Sequence, residues 1–335
     1  MAFGASAGGV DTAALSKAKS IVAEAVLALK KDYGLVGILM GDVSNKVEAG
    51  YVQARNLEWR EGTKFEIISA PTMETLGYVA NQAAAIAART PDALNNTFLK
   101  GEFEMSRVVG NFDLDNRDLE LVRGGEPTAP AGDYERNVRN LGMEFVKNFF
   151  QTEICKSQTQ ARNTLGGLPY IVDSGNTYIA DRTDAAHVNL RSYENAFGAA
   201  ISASNVLTII NGVRAQGGKR PDLGVLPTAL YTKFHTIVAT GGRYELPNKQ
   251  DFLGGQAFEF MGVPFIMEPG LDASFSGDCY LLTQEDWRFY MSKDAMSAQI
   301  MNNPAAVDAS LFRLAFNAGV ACVNPRRQGK GTGLT

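Results

Sequence analysis

Near the start of the chain apolar positions recur every three or four residues: Leu15, Ala18, Val22, Ala25, Val26 and Leu29. With Asp11 or Thr12 as N-cap, that spacing predicts a helix to about Tyr33 with one apolar stripe. Lys17, Lys19, Lys30 and Lys31 lie mostly off the stripe, so the helix packs either on its own domain or, as an arm, on a neighbouring subunit. Residues 35–70 read as strands, and Tyr51 to Trp59 and Phe65 to Ser69 flank Arg60-Glu61-Gly62-Thr63, a predicted hairpin turn. From Ala70 to Thr97 the pattern lapses into Ala, Asn, Thr and Pro, with Val79 to Ala88 able to form a helix. This stretch is too long for an ordinary connection and too polar for a core. It is expected to project from the body and to be ordered by an outside surface.

Alternation returns at Phe98, Phe103, Met105, Val109, Phe112 and Leu114, in an acidic stretch. Asp113-Leu114-Asp115-Asn116-Arg117 is like the opening of a calcium loop but lacks the third ligand and the glycine of the sharp turn, so a solvated or subunit-contacting face is expected. Gly124 to Gly132 breaks the pattern. Asp133 then caps the longest predicted helix, about 133–158. Val138, Leu141, Phe145 and Phe149 form one stripe and Met143, Val146, Phe150 and Ile154 another, which predicts burial on more than one side. Beyond Leu165-Gly166-Gly167-Leu168-Pro169 the pattern is mixed. A helix from about Ser192 to Ala215 is stopped by Gly217-Gly218, a short buried strand covers Asp222 to Leu226, and Thr228 caps a helix to about Thr240. Strands follow at Phe258 to Met267, Cys279 to Thr283 and Trp287 to Met291, then a long one from about Ser310 to Val323 that bends at Gly319. The basic, glycine-rich tail Arg326-Arg327-Gln328-Gly329-Lys330 is expected to fray.

Composition narrows the classes. A chain of 335 residues suggests two or three compact units. Hydrophobic residues at 45% against charged residues at 20% exclude extensive disorder. A net charge of −4 argues against a surface given over to nucleic acid, while leaving room for a local contact. Cys155, Cys279 and Cys322 lie far apart without a CxxC pair, so free thiols in a reducing compartment are expected rather than a disulfide framework or zinc module. No run approaches about 18 uninterrupted apolar residues, and the start shows no basic n-region or apolar h-region, so neither a membrane span nor a signal peptide is expected.

Candidate chemistry is thin. Gly4-Ala5-Ser6-Ala7-Gly8 matches the nucleophile-elbow pattern, but no strand can precede it to hold Ser6 on a strained turn. His187 follows Asp181-Arg182-Thr183-Asp184 in a polar stretch, and His235 beside Phe234 in a predicted helix reads as a packing residue. A zinc site would need widely scattered carboxylates. Gly329-Lys330-Gly331-Thr332 looks like the end of a phosphate loop, but Asn324 stands where the first glycine belongs and no helix follows. No catalytic residue, cofactor-binding residue or metal ligand is assigned, no cofactor is expected, and the chain is not read as an enzyme.

Several stretches carry a resemblance. They are Gly167-Leu168-Pro169-Tyr170-Ile171-Val172 with Asn176-Thr177-Tyr178-Ile179-Ala180-Asp181-Arg182-Thr183, then Gly218-Lys219-Arg220-Pro221-Asp222-Leu223-Gly224-Val225-Leu226-Pro227 before the helix around Tyr231. Phe260-Met261-Gly262-Val263-Pro264-Phe265-Ile266, Cys279-Tyr280-Leu281-Leu282 and Arg313 to Pro325 complete the set. In this order, after an arm, a projecting excursion and a long two-sided helix, they resemble the major capsid protein of tailed bacteriophages. The likeness covers most of the chain in layout and about a third in recognisable wording. It implies an α+β fold with an N-terminal arm (1–50), an extended β-hairpin loop (about 60–105) with peripheral-domain strands (51–132), and a spine helix within 133–164. It further implies an axial domain (165–275), then return strands of the peripheral domain and the basic tail (276–335).

The resemblance also implies hexamers and pentamers closing into an icosahedral shell around double-stranded DNA, in a virion assembled in the host cytoplasm. The chain itself is then the main partner, with a portal, a separate scaffolding protein and, in some relatives, a decoration protein. Arg326, Arg327 and Lys330 are the candidates for weak contact with DNA, against a solvated tail. Covalent linkage between subunits is not expected, because Lys64 and Lys100 stand only at the bases of the excursion. An encapsulin-like nanocompartment or a gene-transfer-agent shell are the alternatives within the same fold; a hydrolase built on Ser6 or His187, or a solitary binding module, are those outside it.

Overall fold

The structure, a computed structural model, describes residues 35, 52–54, 64–69, 99–104, 106–115, 140–145, 147–156, 158, 165–175, 191–240, 257–302 and 309–335. The strands among them are β1 (Val52–Ala54), β2 (Lys64–Ser69), β3 (Leu99–Glu104), β4 (Ser106–Asp115), β5 (Tyr193–Ala199), β6 (Leu223–Leu226), β7 (Ala257–Phe260), β8 (Val263–Met267), β9 (Cys279–Leu282), β10 (Trp287–Asn302), β11 (Ala309–Cys322) and β12 (Gly329–Leu334). The helices that matter most are α1 (Ala203–Gly217) and α2 (Thr228–Thr240).

Short, wholly apolar runs such as Leu223–Leu226 and Cys279–Leu282 are stable only when covered on both faces. Every residue of β6 and β9 is buried, and these strands form the middle of a six-stranded mixed sheet ordered β5-β12-β9-β6-β8-β7. Helix α1 contributes Val206, Ile209, Ile210 and Val213 to its core, and α2 contributes Leu230, Phe234 and Val238. Each such side chain adds on the order of 1.5–3 kcal/mol by leaving water. Between β7 and β8 the two-residue turn Met261-Gly262 has φ of 53° and 76°, the positive values that a tight hairpin of this kind requires.

A second sheet, ordered β1-β10-β11-β4, is built on the long antiparallel pair β10–β11. The chain leaves the six-stranded sheet after β9, runs through β10 and β11, and returns in β12. A third sheet is the two-stranded hairpin β2–β3. Residues 140–145 and 147–148 are helical and pass into a π-helical turn, Phe149–Ile154, that sets Phe149, Ile154 and Cys155 into the core. The expected helix end at 158 is corrected, since the helical run stops at Ile154 and residues 155, 156 and 158 are not helical; residues 133–139, the 1–50 arm apart from Leu35, Ser6 and His187 lie outside the described residues. No helix among the described residues is long and apolar enough to cross a membrane.

Several expectations are corrected. The stretch read as the first turns of one helix from Ser192 is strand β5, and α1 starts only after Ser202, whose hydroxyl accepts from the Asn205 amide at 3.2 Å. Tyr193, Asn195 and Phe197 fit an alternating strand as well as a helix, and pairing with β12 decides. The hairpin expected between 51–59 and 65–69 does not form: β1 pairs in parallel with β10, and β2 pairs with β3 across the excursion. The strand expected to stop at Met291 runs on to Asn302, because β11 offers it a partner of similar length. The register of the β10–β11 pair shifts on β10, between Met291 and Met296. Strands β9 and β12 complete the sheet that begins with β5. The tail does not fray: it is the strand β12.

Candidate functional site

The excursion is anchored by β2 and β3, whose register runs from Lys64 opposite Glu104 to Ser69 opposite Leu99. The register sets Phe65 opposite Phe103, and Phe103 is 1% exposed, buried within the chain itself. Residues 70–98, which this hairpin carries, lie outside the described residues. A lone two-stranded hairpin is marginal in water and gains its order from whatever it lies against.

The tail strand β12 is wedged between β5, to which it runs parallel, and β9, to which it runs antiparallel. Its glycines are what let it in. A Cβ on Gly329 would strike Val213, and one on Gly331 would strike Ile209 and Phe197. Beyond the strand, the Thr335 amide donates to the Ala199 carbonyl at 3.1 Å and the Ile201 amide to the Thr335 carbonyl at 3.1 Å. The buried Gln328 side chain accepts from the Thr283 amide at 2.9 Å and from Trp287 Nε1 at 3.1 Å, and donates to the Asn324 carbonyl at 3.3 Å.

The basic residues singled out for DNA are engaged within the chain. Lys330 Nζ pairs with Glu194 Oε1 at 3.2 Å, and Ser174 Oγ donates to the other oxygen of Glu194 at 2.6 Å. Arg327 Nη1 meets Glu285 Oε1 at 3.0 Å and Asp286 Oδ1 at 3.5 Å, while Lys219 Nζ meets Glu285 Oε1 at 2.6 Å. The lysine hydrogen bond holds the Glu285 carboxyl below its usual range, whereas burial pushes that of Asp286 up to about 6. Arg326, the third of the set, is also engaged. A cationic tail reaching into solvent is therefore not what the sequence builds.

His235, half-buried, packs beside the rings of Tyr231 and Phe258, at centroid distances of 6.3 and 5.4 Å. All three cysteines are free and buried. Burial pushes the Cys279 thiol up to about 12 and that of Cys155 well above its ordinary value, so neither supplies a thiolate nucleophile near neutral pH. Among the described residues, no group of three or more His, Cys, Asp or Glu is placed to hold a metal ion.

One polar junction escaped the sequence reading. Glu268 directly follows β8 and is 1% exposed. Its Oε1 accepts from the Gly270 amide at 3.2 Å, and the carboxyl also takes hydrogen bonds from the Leu35 amide and the Cys155 thiol. Oε2 has no protein partner. Gly270 is required here, because a Cβ would stand 2.8 Å from Cys155 Sγ. Glu268-Pro269-Gly270 reads locally as a turn, and nothing in that wording says that three distant segments meet there.

No protein-family model matches the chain, and no curated protein matches it. Solved structures do. The capsid of a native GTA particle is 11% identical, with a TM-score of 0.57 over 88% of this chain and 92% of that one. The cyanophage A-1(L) capsid is 12% identical, with a TM-score of 0.56 over 90% of this chain and 92% of that one. The holo-SrpI encapsulin complex from Synechococcus elongatus PCC 7942 is 13% identical, with a TM-score of 0.54 over 86% of both chains. The chain thus has the mixed α+β fold that phage capsid, encapsulin and GTA capsid proteins share.

Proposed function

We propose that copies of this chain assemble into a closed shell, and that the chain is the major capsid protein of a tailed phage, forming the hexamers and pentamers of an icosahedral head around double-stranded DNA. What carries this reading is a fold likeness to a GTA capsid, a phage capsid and an encapsulin that spans 86–90% of the chain. So few residues are identical that the shared property is the chain's path, which is what a repeated subunit contact needs. The hairpin β2–β3 fits that need as the stem of an extended loop lying on a neighbour. Heterologous contacts repeated around a ring close into capsomers, and many modest interfaces hold a shell without any single strong site.

In this reading residues 1–50 are the arm, 60–105 the extended loop, 133–164 the spine helix region, and the six-stranded sheet with α1 and α2 the axial part. A scaffolding protein, a portal and a decoration protein are the proposed partners. Contact with DNA falls to residues other than Arg327 and Lys330, whose charges are already paired. The encapsulin likeness, at a TM-score close to that of the phage capsid, supports a protein-filled compartment as the second reading.

Negative-stain microscopy of the purified full-length chain tests the proposal. Closed particles are expected, and a monomer at every concentration overturns it. The particle contents then divide the readings: nuclease-protected DNA supports the virus or a gene-transfer agent, and a folded enzyme supports the compartment.

A further inference from the structure

Helices α1 and α2 lie beside each other and pack on one core cluster, so their outward sides adjoin. An ordinary wetted helix surface is rich in charge. Here neither helix contains a carboxylate, and the exposed positions hold only two cations, Arg214 and Lys233. On α2 the exposed Thr232, Thr236 and Thr240 recur every four residues, and Ile237 beside them is 39% exposed.

Each of these threonine hydroxyls donates to the carbonyl one turn back: Thr232 to Thr228 at 3.0 Å, Thr236 to Thr232 at 2.9 Å and Thr240 to Thr236 at 2.7 Å. Thr208 of α1 donates in the same way to Ser204 at 2.9 Å. A hydroxyl whose proton is already used inside the helix can be covered without orphaning a donor. A β-branched side chain is held in few rotamers before anything touches it, so covering it costs little further order. Threonine is also a poor helix former, and nothing in a wetted surface calls for three of them in a row. The pattern suits a face that becomes covered.

We propose that the outward face of α2 around Thr236 and Ile237 is a subunit contact, occupied by a second copy of this chain. The inference rests on the shell reading and names a surface which that reading requires. Depletion of charge is the mark of an interface centre. A second copy also supplies the matching sign: residues 98–121 carry six carboxylates against three cations, and β4, within that stretch, is an outer strand of its sheet. DNA does not fit the face, because two cations and inward-turned hydroxyls offer a phosphate backbone little.

Thiol footprinting tests this. The chain's three cysteines are free and buried, so Thr236→Cys adds one accessible thiol. In particles assembled from the purified chain alone, maleimide labelling at position 236 is expected to be about tenfold slower than in the same chain folded but unassembled. Equal labelling in intact particles overturns the inference and leaves the shell reading standing. Protection that needs nucleic acid or a second protein assigns another occupant and overturns it too. A chain that forms no multimer at any concentration removes the shell reading and this inference together. Should Thr236→Cys fold without assembling, Ile237→Glu decides. Its side chain is already partly in water, so the urea midpoint should hold while the concentration needed for assembly rises about tenfold. Assembly of Ile237→Glu at the unmodified concentration overturns the proposal.

Discussion

In the six-stranded sheet each strand finds its partners inside the chain; in the β2–β3 hairpin the pairing stops at two strands. The sheet is covered by α1 and α2, its middle strands are wholly buried, and its last gap is filled by β12. Its polar residues are answered internally: Gln328 takes two donors and gives one, Lys330 pairs with Glu194, and Asp272 reaches the start of α2. The hairpin forms a sheet of its own and carries a long polar excursion between its strands. The contrast is between a region whose middle strands are paired on both sides and one whose pairing ends at two strands. Under the proposed function, assembly would remodel the second without unfolding the first.

The largest effect expected is on assembly. Replacing residues 70–98 by a two-residue Asn-Gly turn should abolish closed particles in sedimentation. It should leave the unfolding transition of the sheet within about 0.5 kcal/mol, as for other changes outside a core. Loss of that transition would make the excursion part of the core and erase the contrast. Next comes the wedge strand. Gly331→Val drives a side chain into Ile209 and Phe197 and should cost about 1–3 kcal/mol in urea unfolding, with the damage centred on β5, β12 and α1. An unchanged midpoint would show that the close fit of β12 is not what completes the sheet. Smallest is the remote cap. Asp272 accepts from the Thr228 amide and hydroxyl, each at 2.7 Å, and Asp272→Ala should cost about 0.5–2 kcal/mol and fray the first turn of α2 by amide exchange. Fraying of the hairpin in that variant would show that the two regions share their stability, and the contrast between them would fall.

Much of the layout is legible in the chain's own wording. The ends of α2, the buried runs of β6 and β9, and the excursion bracketed by alternating segments all follow from local periodicity and breakers. The failures share one cause, which is that strand pairing is not local. Residues 193–199 satisfy helical and strand spacing alike until β12 lies beside them. The tail looks like a frayed end because its glycines, having no side chains, leave no apolar pattern, yet those glycines are what admit it under α1. Thr228 reads as a cap, but the carboxyl that satisfies it comes from Asp272, far along the chain.

The absence of a catalytic constellation was also legible as a shortage: two histidines, three scattered cysteines and no motif in a workable setting. The Glu268 junction was not legible, because Leu35, Cys155 and Gly270 stand at distant positions and none of them carries a signature. By itself, then, the sequence determined the ends of α2, the buried runs of β6 and β9, where the long polar excursion interrupts the pattern, and that hydrophobic content suffices for a core. These depend on neighbours within a few residues, where backbone sterics and side-chain periodicity act directly. Tertiary structure alone decided which strands pair, that the tail closes the sheet, and that a carboxyl is sealed among three segments. Each of those depends on contacts between residues far apart in sequence, whose energies exist only once the chain has brought them together.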